Sequence, residues 1–287
     1  MLTVQATGPL ALLQDLGRPG CADLGVSPSG AADRDALRLA NRLVGNPEGA
    51  AAIEVTLGGL VVTAEDLAWV AVTGAPTQLS VNDTPTSSHT TVALRPRDLL
   101  RIEVPTSGLR SYLAVRGGID TDLVLGSASR DTLSGLGPDP LQPGQQLAVG
   151  HSELPLPEAD RAPSRSPSRT LAITPGPRLD WFAESAWHRL LHDPWTVTQD
   201  CDRVAVRLSG PGLDRVRHNE LPSEGLLRGS VQVPPSGQPL VFLSDHPVTG
   251  GYPVPAVLTE AAGDLAAQLR PGDVVRFVSH TSRAAAR

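Results

Sequence analysis

Lysine is absent from the sequence: all 24 basic residues are arginine. A P-loop nucleotide site of the usual kind needs a lysine, and so does an enzyme that forms a Schiff base or binds pyridoxal phosphate. Biotin is attached to a lysine amine, so this chain cannot itself carry biotin. A GC-rich genome is the simplest cause of the absence, but the exclusions hold whatever the cause.

Cysteine and long apolar runs are also scarce. The only cysteines, Cys21 and Cys201, lie far apart, which excludes a disulfide scaffold. The longest apolar runs, such as residues 67–73, are far shorter than a membrane span, and no basic segment typical of a signal peptide opens the chain. A net charge of −6 without any basic cluster argues against nucleic acid as the main partner. We therefore expect a soluble cytoplasmic protein.

Glycine and proline, by contrast, are abundant, with 28 and 27 residues among 287. That density favours many short elements joined by tight turns. Between the turns lie short runs rich in valine, leucine and isoleucine. This pattern predicts an all-β barrel or sandwich, with strands at residues 69–73, 99–104, 111–115, 204–208, 239–243 and 274–278.

Two segments have the apolar spacing of amphipathic helices. In residues 29–44 the apolar side chains fall on one face, with Ser29 as the expected N-cap and Gly45 as a stop signal. The second predicted helix covers residues 179–191 and ends before Pro194.

A turn-then-strand pattern recurs along the chain. It occurs at residues 94–102, at residues 269–277 and more loosely at residues 141–149, each time with a proline that pre-sets the turn. Because such a unit is common in β-barrels, the recurrence suggests two similar barrels without proving a duplication.

The boundary between the two halves is predicted from composition. Residues 151–169 are rich in proline, serine and charge and have almost no large apolar side chain, which indicates a linker or mobile loop. The expected domains are therefore an N-terminal half at residues 1–150 and a C-terminal half at residues 170–287.

Most standard catalytic and metal-binding motifs are missing. The sequence has no His-Glu-x-x-His, no Cys-x-x-Cys and no Gly-x-Gly-x-x-Gly after a strand. His188 and His192 have a spacing that a metal could use, but no third ligand lies nearby in the sequence, so we expect no metal site. Residues 25–30 resemble a nucleophile elbow only faintly, because the second glycine comes one position late and a proline stands at the centre.

Three glycine-rich turns in the C-terminal half carry polar side chains. Each alone is most simply a capped turn, but three within about thirty residues favour a binding site. Paired glycines let backbone N–H groups approach a ligand closely, and a buried amide needs partners. The polar residues of these turns are Ser223, Glu224, Gln232, Asp245, His246, Thr249 and Tyr252.

Several motifs occur in the order and spacing of one known family. They are residues 14–20, 29–33, 39–46, 54–59, 112–119, 223–225, 232–234 and 249–253. On these motifs the chain resembles the Kip-antagonist family, also called the 5-oxoprolinase C subunit or the biotin-dependent carboxyltransferase family, and the similar carboxyltransferase region of urea carboxylase. The resemblance covers nearly the whole chain outside residues 151–169. It implies a mainly β fold of two cyclophilin-like β-barrel halves with a few short helices.

The resemblance implies three alternative activities. The first is that of the C subunit of a 5-oxoprolinase that opens 5-oxoproline to glutamate, with ATP and Mg²⁺ at the level of the complex. Its partners would be a B-type (Kip-inhibitor-like) protein and an A-type component. The second is transfer of a carboxyl group from carboxybiotin, held on a separate carrier, to urea or a related amide. The third is regulation, by binding an inhibitor of a kinase. We rank the first highest, because a free-standing chain of this length is the usual form of that subunit.

The resemblance also assigns expected roles to site residues. Both enzymatic reactions act on an unreactive amide, which needs an acceptor for its N–H and donors for its oxygen. The expected catalytic residues are Glu224, Asp245 and Arg203. The expected substrate-binding residues are Arg18, Ser29, Asp33, Ser223, Gln232, Thr249 and Tyr252. We expect Glu224→Gln and Asp245→Asn to remove activity without disturbing the fold.

The chain departs from the family pattern beside the third turn. After Pro253 the family often continues with lysine, whereas Val254 and Pro255 follow here. The preceding Gln-Thr-Thr of the family is replaced by residues 247–249, Pro-Val-Thr. One charge and one hydroxyl are therefore missing close to the expected site.

Overall fold

Short strands dominate the computed structural model, which describes residues 1–164 and 168–280. Within these ranges there are three α-helices, Arg34–Leu43 (α1), Glu184–His192 (α2) and Glu260–Ala266 (α3), and two 3₁₀ turns, Ala22–Leu24 and Leu179–Trp181. The predicted mainly β fold is confirmed, and each of the six predicted strands coincides with an observed one to within two residues at either end. None of the helices in the described ranges has the length and apolar character needed to cross a bilayer.

The chain divides into two compact units. The first contains Met1–Asp23 and Pro28–Pro167, and the second contains Leu24–Ser27 and Ser168–Arg287. Four residues from the N-terminal part of the sequence thus belong to the second unit, where the Ser27 hydroxyl donates to the carbonyl oxygen of Ser244 at 3.2 Å.

The first unit is built from two antiparallel sheets. The strands are Leu2–Thr7 (β1), Leu10–Gln14 (β2), Ala52–Thr56 (β3), Leu60–Ala64 (β4), Ala68–Gly74 (β5), Gln78–Val81 (β6), Thr84–Ser87 (β7), Thr91–Leu94 (β8), Leu99–Ile102 (β9), Arg110–Val115 (β10), Ile119–Asp120 (β11) and Gln146–Val149 (β12). The seven-stranded sheet has the order β11-β12-β1-β4-β9-β6-β7, and the five-stranded sheet has the order β2-β3-β10-β5-β8.

Alternation along the strands explains how this unit packs. On β5, Val70 and Val72 join the main apolar core, which has members from both sheets, whereas Ala71 faces the opposite side. That side is covered by α1, whose Leu37 and Ala40 are fully buried against it. The small side chain of Ala71 lets the helix approach the sheet closely.

Helix α1 begins later than predicted. It starts at Arg34, and its N-cap is Asp33, whose carboxylate accepts a hydrogen bond from the N–H of Ala36 at 3.0 Å. The prediction of Ser29 as the N-cap is wrong, because Ser29 has φ +53° and is followed by Gly30 with φ +90°. A left-handed pair of residues cannot belong to the first turn of an α-helix.

The second unit is a closed barrel. Its strands are Thr170–Pro175 (β13), Trp195–Cys201 (β14), Ala205–Ser209 (β15), Ser230–Gln232 (β17), Leu240–Phe242 (β18), Ala256–Leu258 (β20) and Val274–Ser279 (β21). Their order around the barrel is β13-β20-β17-β18-β15-β14-β21. A separate two-stranded ribbon consists of Glu224–Gly225 (β16) and Thr249–Gly250 (β19). The barrel core includes Trp195, Val231 and Phe277, all fully buried.

The predicted helix over residues 179–191 is interrupted. A 3₁₀ turn at its start gives way to extended backbone at Phe182 and Ala183, and α2 follows. The N–H of Ala183 donates to the carbonyl oxygen of Asp214 at 3.0 Å, and Phe182 forms an isolated β-bridge with Arg215. These backbone contacts replace helical hydrogen bonds and break the element into two.

Part of the segment predicted as a linker is held by hydrogen bonds within the first unit. The N–H of Thr91 donates to the carbonyl oxygen of Asp160 at 2.8 Å, and the N–H of Ala162 donates to that of His89 at 2.9 Å. The Arg116 guanidinium also donates to the carbonyl oxygen of Leu154. Composition alone did not indicate these contacts, and residues 165–167 of the segment lie outside the described residues.

Replacing Asp33 with alanine removes the N-cap of α1, so we expect the unfolding free energy to fall by about 1 kcal/mol. The measurement is the shift of the urea denaturation midpoint. The matched control is Asp35→Ala, which changes a half-exposed carboxylate in the same first turn and should change stability by no more than a few tenths of a kcal/mol. Equal effects of the two changes would contradict the capping role.

Candidate functional site

The ribbon β16–β19 joins two of the predicted site segments in the second unit. Glu224 lies opposite Gly250, and Gly225 lies opposite Thr249. The N–H of Leu226 extends the pairing by donating to the carbonyl oxygen of Val248 at 2.8 Å. Two turns that are well separated in sequence are therefore held side by side.

Glu224 is paired with an arginine that the sequence motifs did not reveal. The Nε of Arg178 lies 2.8 Å and 3.0 Å from the two carboxylate oxygens of Glu224, and its Nη2 donates to Oε1 as well. This hydrogen-bonded contact holds the pKa of Arg178 above its ordinary value. The N–H of Arg178 also donates to the carbonyl oxygen of Val254 at 3.1 Å. The pair is partly open, with 37% of the Arg178 side chain and 28% of the Glu224 side chain exposed.

Gln232 supports the third turn from strand β17. Its side chain is buried, and its Nε2 donates to the carbonyl oxygen of Tyr252 at 3.1 Å. The next residue, Val233, donates its N–H to the carbonyl oxygen of Pro253 at 3.1 Å. The structure thus brings the predicted residues Gln232 and Tyr252 together, with Gln232 positioning the backbone of the turn.

Arg203 and Asp245 form a fully buried ion pair. The Nε–Oδ2 distance is 2.9 Å, the Nη2–Oδ1 distance is 3.1 Å, and the side chains are 2% and 0% exposed. The sequence suggested these residues as donor and acceptor for a substrate, but here each neutralises the other. The expectation that Asp245→Asn leaves the fold undisturbed does not fit this geometry, because asparagine would leave a buried guanidinium without its counter-charge.

The other predicted site residues of this unit differ in their access to solvent. Ser223, Thr249 and Tyr252 are exposed at or near the ends of the ribbon strands. His246 is buried, and its Nδ1 lies 2.8 Å from the carbonyl oxygen of Pro247. The part of the candidate site that can meet a ligand is therefore the ribbon with Glu224, Arg178 and Tyr252.

In the first unit, the structure brings Arg18 and Ser29 to the same stretch of backbone. Arg18 is buried, and its guanidinium donates to the carbonyl oxygens of Val124, at 3.2 Å, and of Ser129. The Ser29 hydroxyl donates to the carbonyl oxygen of Arg130 at 3.2 Å. Their expected role in substrate binding stays a prediction.

The loop that carries Arg18 is itself held by Asp15, which the sequence motifs did not single out. The buried Asp15 carboxylate accepts from the N–H groups of Gly17 and Ala128 at 2.7 Å and 2.8 Å. It also accepts from the hydroxyls of Ser127 and Ser129 at 2.7 Å and 2.5 Å. Four donors on two loops fix the relative position of those loops.

Asp33 belongs to a second buried network that leads to Glu54. The N–H of Asp33 donates to the Tyr112 hydroxyl at 2.7 Å, and that hydroxyl donates to Glu54 Oε2 at 2.8 Å. Arg110 lies 3.6 Å from the other oxygen of Glu54. Burial, followed by the charge of Glu54, raises the pKa of Tyr112 well above its ordinary value, so the phenol stays protonated and remains a donor. The structure therefore uses Asp33 as a helix cap within a structural network.

Metal ligands are not assembled in the part of the chain that the structure describes: no three His, Cys, Asp or Glu side chains cluster there. The rings of His188 and His192 stack on each other, with centroids 4.0 Å apart. No described residue is therefore assigned to Mg²⁺.

Comparison with known proteins places the chain among its relatives. The family model described as "Carboxyltransferase domain, subdomain A and B" matches residues 24–279. The chain belongs to this carboxyltransferase family. It is also 37% identical to the 5-oxoprolinase C subunit of Escherichia coli, over 97% of this chain and 91% of that protein. The resemblance stated from the sequence motifs is confirmed.

Two solved structures of relatives have the same fold. The crystal structure of TTHA0988 has a TM-score of 0.88 at 35% identity, over 97% of this chain and 56% of that chain. The K. lactis urea amidolyase has a TM-score of 0.90 at 29% identity, over 98% of this chain and 19% of that chain. The chain therefore spans a little over half of the first structure and about a fifth of the second.

A side chain at position 250 would disturb the ribbon. A Cβ on Gly250 would lie 2.7 Å from both Gln232 Nε2 and Leu226 Cδ1. We expect Gly250→Ala to destabilise the protein by about 1–3 kcal/mol, as overpacking does, and to lower the thermal midpoint by several degrees. The control is Gly251→Ala, whose Cβ would meet only the carbonyl oxygen of Leu221, at 3.6 Å, and should leave the midpoint nearly unchanged. If both variants melt like the wild type, the ribbon does not depend on this close approach.

Proposed function

We propose that the chain is the C subunit of an ATP-dependent 5-oxoprolinase, which opens 5-oxoproline to glutamate together with a B-type (Kip-inhibitor-like) protein and an A-type component. The observation that carries the proposal is that the alignment covers nearly the full length of both this chain and its relative. The chain aligns over 97% of its own length and 91% of the E. coli 5-oxoprolinase C subunit, at 37% identity. In the urea amidolyase of Lachancea kluyveri, by contrast, the aligned region is only 17% of the relative.

The geometry of the ribbon suits a cyclic amide. An amide N–H needs an acceptor, and its oxygen needs donors when negative charge develops on it. Glu224 supplies carboxylate oxygens and Arg178 supplies a guanidinium, both partly exposed and side by side. In the proposal, Glu224 accepts the lactam N–H and Arg178 donates to the lactam oxygen. Ser223, Thr249 and Tyr252 then bound the site at the ribbon ends.

The buried pair has a positioning role in this proposal. Arg203 and Asp245 hold the loop that leads from β18 into β19, because the N–H of Asp245 donates to the carbonyl oxygen of Arg203 at 3.1 Å. Both side chains are buried, so the proposal gives them no direct contact with the substrate. They act on the substrate through the position of Gly250 and Tyr252.

In this proposal, the chain binds the amide and polarises it, and other components of the complex supply the remaining chemistry. When bound in the complex, ATP supplies the phosphoryl group that activates the amide oxygen, and Mg²⁺ neutralises its phosphates. The described residues offer no cluster of three metal ligands, and the sequence has no lysine for a P-loop. No residue of the chain is therefore placed against ATP or Mg²⁺.

Carboxyl transfer to an amide is the second candidate, and the fold match to K. lactis urea amidolyase, with a TM-score of 0.90, favours it. The same ribbon would then hold an amide acceptor, with Glu224 as the acceptor of the N–H. Carboxybiotin would come from a separate carrier protein, because this chain has no lysine to modify.

Reconstitution tests the proposed function. The chain, co-expressed with homologues of the B-type and A-type components, is purified by size-exclusion chromatography and assayed for ATP-dependent release of glutamate from 5-oxoproline. We expect stable co-elution with the B-type protein and turnover only by the full set. Separate elution at micromolar concentration, or carboxylation of urea with a biotin carboxylase and carrier in place of 5-oxoproline turnover, would overturn it.

Removing the charge of Glu224 tests the role of the ribbon. We expect Glu224→Gln in the reconstituted complex to lower turnover on the order of 10²-fold or more, since the negative charge of the acceptor is lost while the shape of the side chain is kept. The thermal midpoint should barely change, because the pair with Arg178 is partly exposed. The control is Glu220→Gln, which changes an exposed carboxylate in the same loop. Full activity of Glu224→Gln would refute the assignment, and a fall of about ten degrees with lost assembly would make Glu224 structural.

A further inference from the structure

Arg215 is a half-buried arginine of the second unit that has no carboxylate partner among the described residues. Six arginines in the described part of this unit form ion pairs with carboxylates: Arg169 with Asp273, Arg178 with Glu224, Arg189 with Asp214, Arg203 with Asp245, Arg217 with Asp180 and Arg228 with Asp264. Arg215 forms none with any described Asp or Glu, although its Nε is buried and has no hydrogen-bond partner among the described residues. The sequence outside the described ranges contains no Asp or Glu.

The charged neighbours of Arg215 in sequence are satisfied elsewhere. Asp214 lies 3.2 Å from the Arg189 guanidinium, and Arg217 lies 2.9 Å from the Asp180 carboxylate. The carboxylate closest in sequence therefore does not serve Arg215. A guanidinium taken out of water without a counter-charge is unfavourable, and burial accordingly lowers the pKa of Arg215.

The Arg215 guanidinium is connected through one residue to the turn that bounds the proposed substrate site. Its Nη2 donates to the carbonyl oxygen of Val233, and Val233 in turn holds Pro253 through its own N–H. Tyr252, on that turn, acts on the pKa of Arg215 in the direction opposite to burial. Arg178 contacts the same turn at Val254. Arg178 and Arg215 are therefore both linked to the segment 252–254, Arg178 directly and Arg215 through Val233.

We infer that Arg215 binds the carboxylate of a carboxylated cyclic amide whose amide group lies against Glu224 and Arg178. The inference rests on the proposed function and adds the group that selects the substrate. A guanidinium suits a carboxylate because it can offer two parallel N–H donors, and the interaction is strong where water is excluded. Arg215 is half-buried with its Nε unpaired, so a substrate carboxylate would complete a pairing that the folded chain lacks. Urea carries no carboxylate and would leave Arg215 unpaired.

The test measures equilibrium binding to the reconstituted complex in the absence of ATP, by calorimetry. The ligands are 5-oxoproline and pyrrolidin-2-one, the same lactam without the carboxylate. We expect the wild type to prefer 5-oxoproline and Arg215→Met to weaken its binding on the order of 10- to 100-fold, with Arg215→Lys intermediate. Binding of pyrrolidin-2-one should be the same in all three proteins. Arg217→Met, which removes an exposed arginine two positions away, should bind both ligands like the wild type.

Measurements of turnover and thermal stability on Arg215→Met distinguish a role in substrate selection from a role in maintaining the fold. Arg215→Met should raise the KM for 5-oxoproline by a similar factor, with a smaller effect on kcat, and its thermal midpoint should not fall. If Arg215→Met binds 5-oxoproline like the wild type, weakens both lactams equally, or melts several degrees lower while losing both ligands, the inference is overturned. Failure of the wild type to bind 5-oxoproline at millimolar concentration also overturns it. A complex that binds 5-oxoproline through Arg215 but does not hydrolyse it with ATP contradicts the proposed function alone.

Discussion

The ion pair between Arg203 and Asp245 is fully buried in the second unit, and it joins two loops of the barrel. The backbone repeats the contact, because Asp245 donates its N–H to Arg203 and Leu243 donates to Val204. Charges in an apolar interior are tolerated only when both partners are held in one geometry. The ion pair therefore favours one arrangement of these two loops. Because the next turn follows directly after Asp245, the ion pair also fixes the position of that turn. The ribbon with Glu224 depends on that turn.

The first unit uses buried carboxylates for the same purpose. Asp15 gathers four donors from two loops, and Glu54 gathers the Tyr112 hydroxyl, the N–H of Ala32 and the nearby Arg110. The sequence motifs that carry the family resemblance around residues 14–20, 29–33, 54–59 and 112–119 thus contain these framework groups. The groups that can meet a ligand in the second unit, Glu224 and Tyr252, lie on turns that buried polar contacts hold in place.

The fold was predictable from the sequence where the pattern of apolar and turn residues determines the secondary structure. The candidate site was predictable only where its residues lie close together in the sequence. Strands such as β5 and β21 follow from short apolar runs between turn residues. The start of α1 was misplaced because the pattern does not reveal that Ser29 has a positive φ, and the short α3 was not recognised. Arg178 and Arg215 could not be chosen from among 24 arginines, since Arg178 lies 46 positions from Glu224 and Arg215 is distinguished only by the partner that it lacks.

The barrel of the second unit is closed by pairing between its first and last strands in the chain. Strand β13, where the barrel begins, pairs in parallel with β21, its last strand, with Leu171 opposite Phe277. Both of these residues are fully buried in the same core. During synthesis on the ribosome, β13 emerges roughly a hundred residues before the strand that completes its hydrogen bonds. The other neighbour of β13, β20, also emerges late, so both edges of β13 stay unpaired through the translation of most of the unit. The barrel cannot close until residues 274–279 have left the exit tunnel.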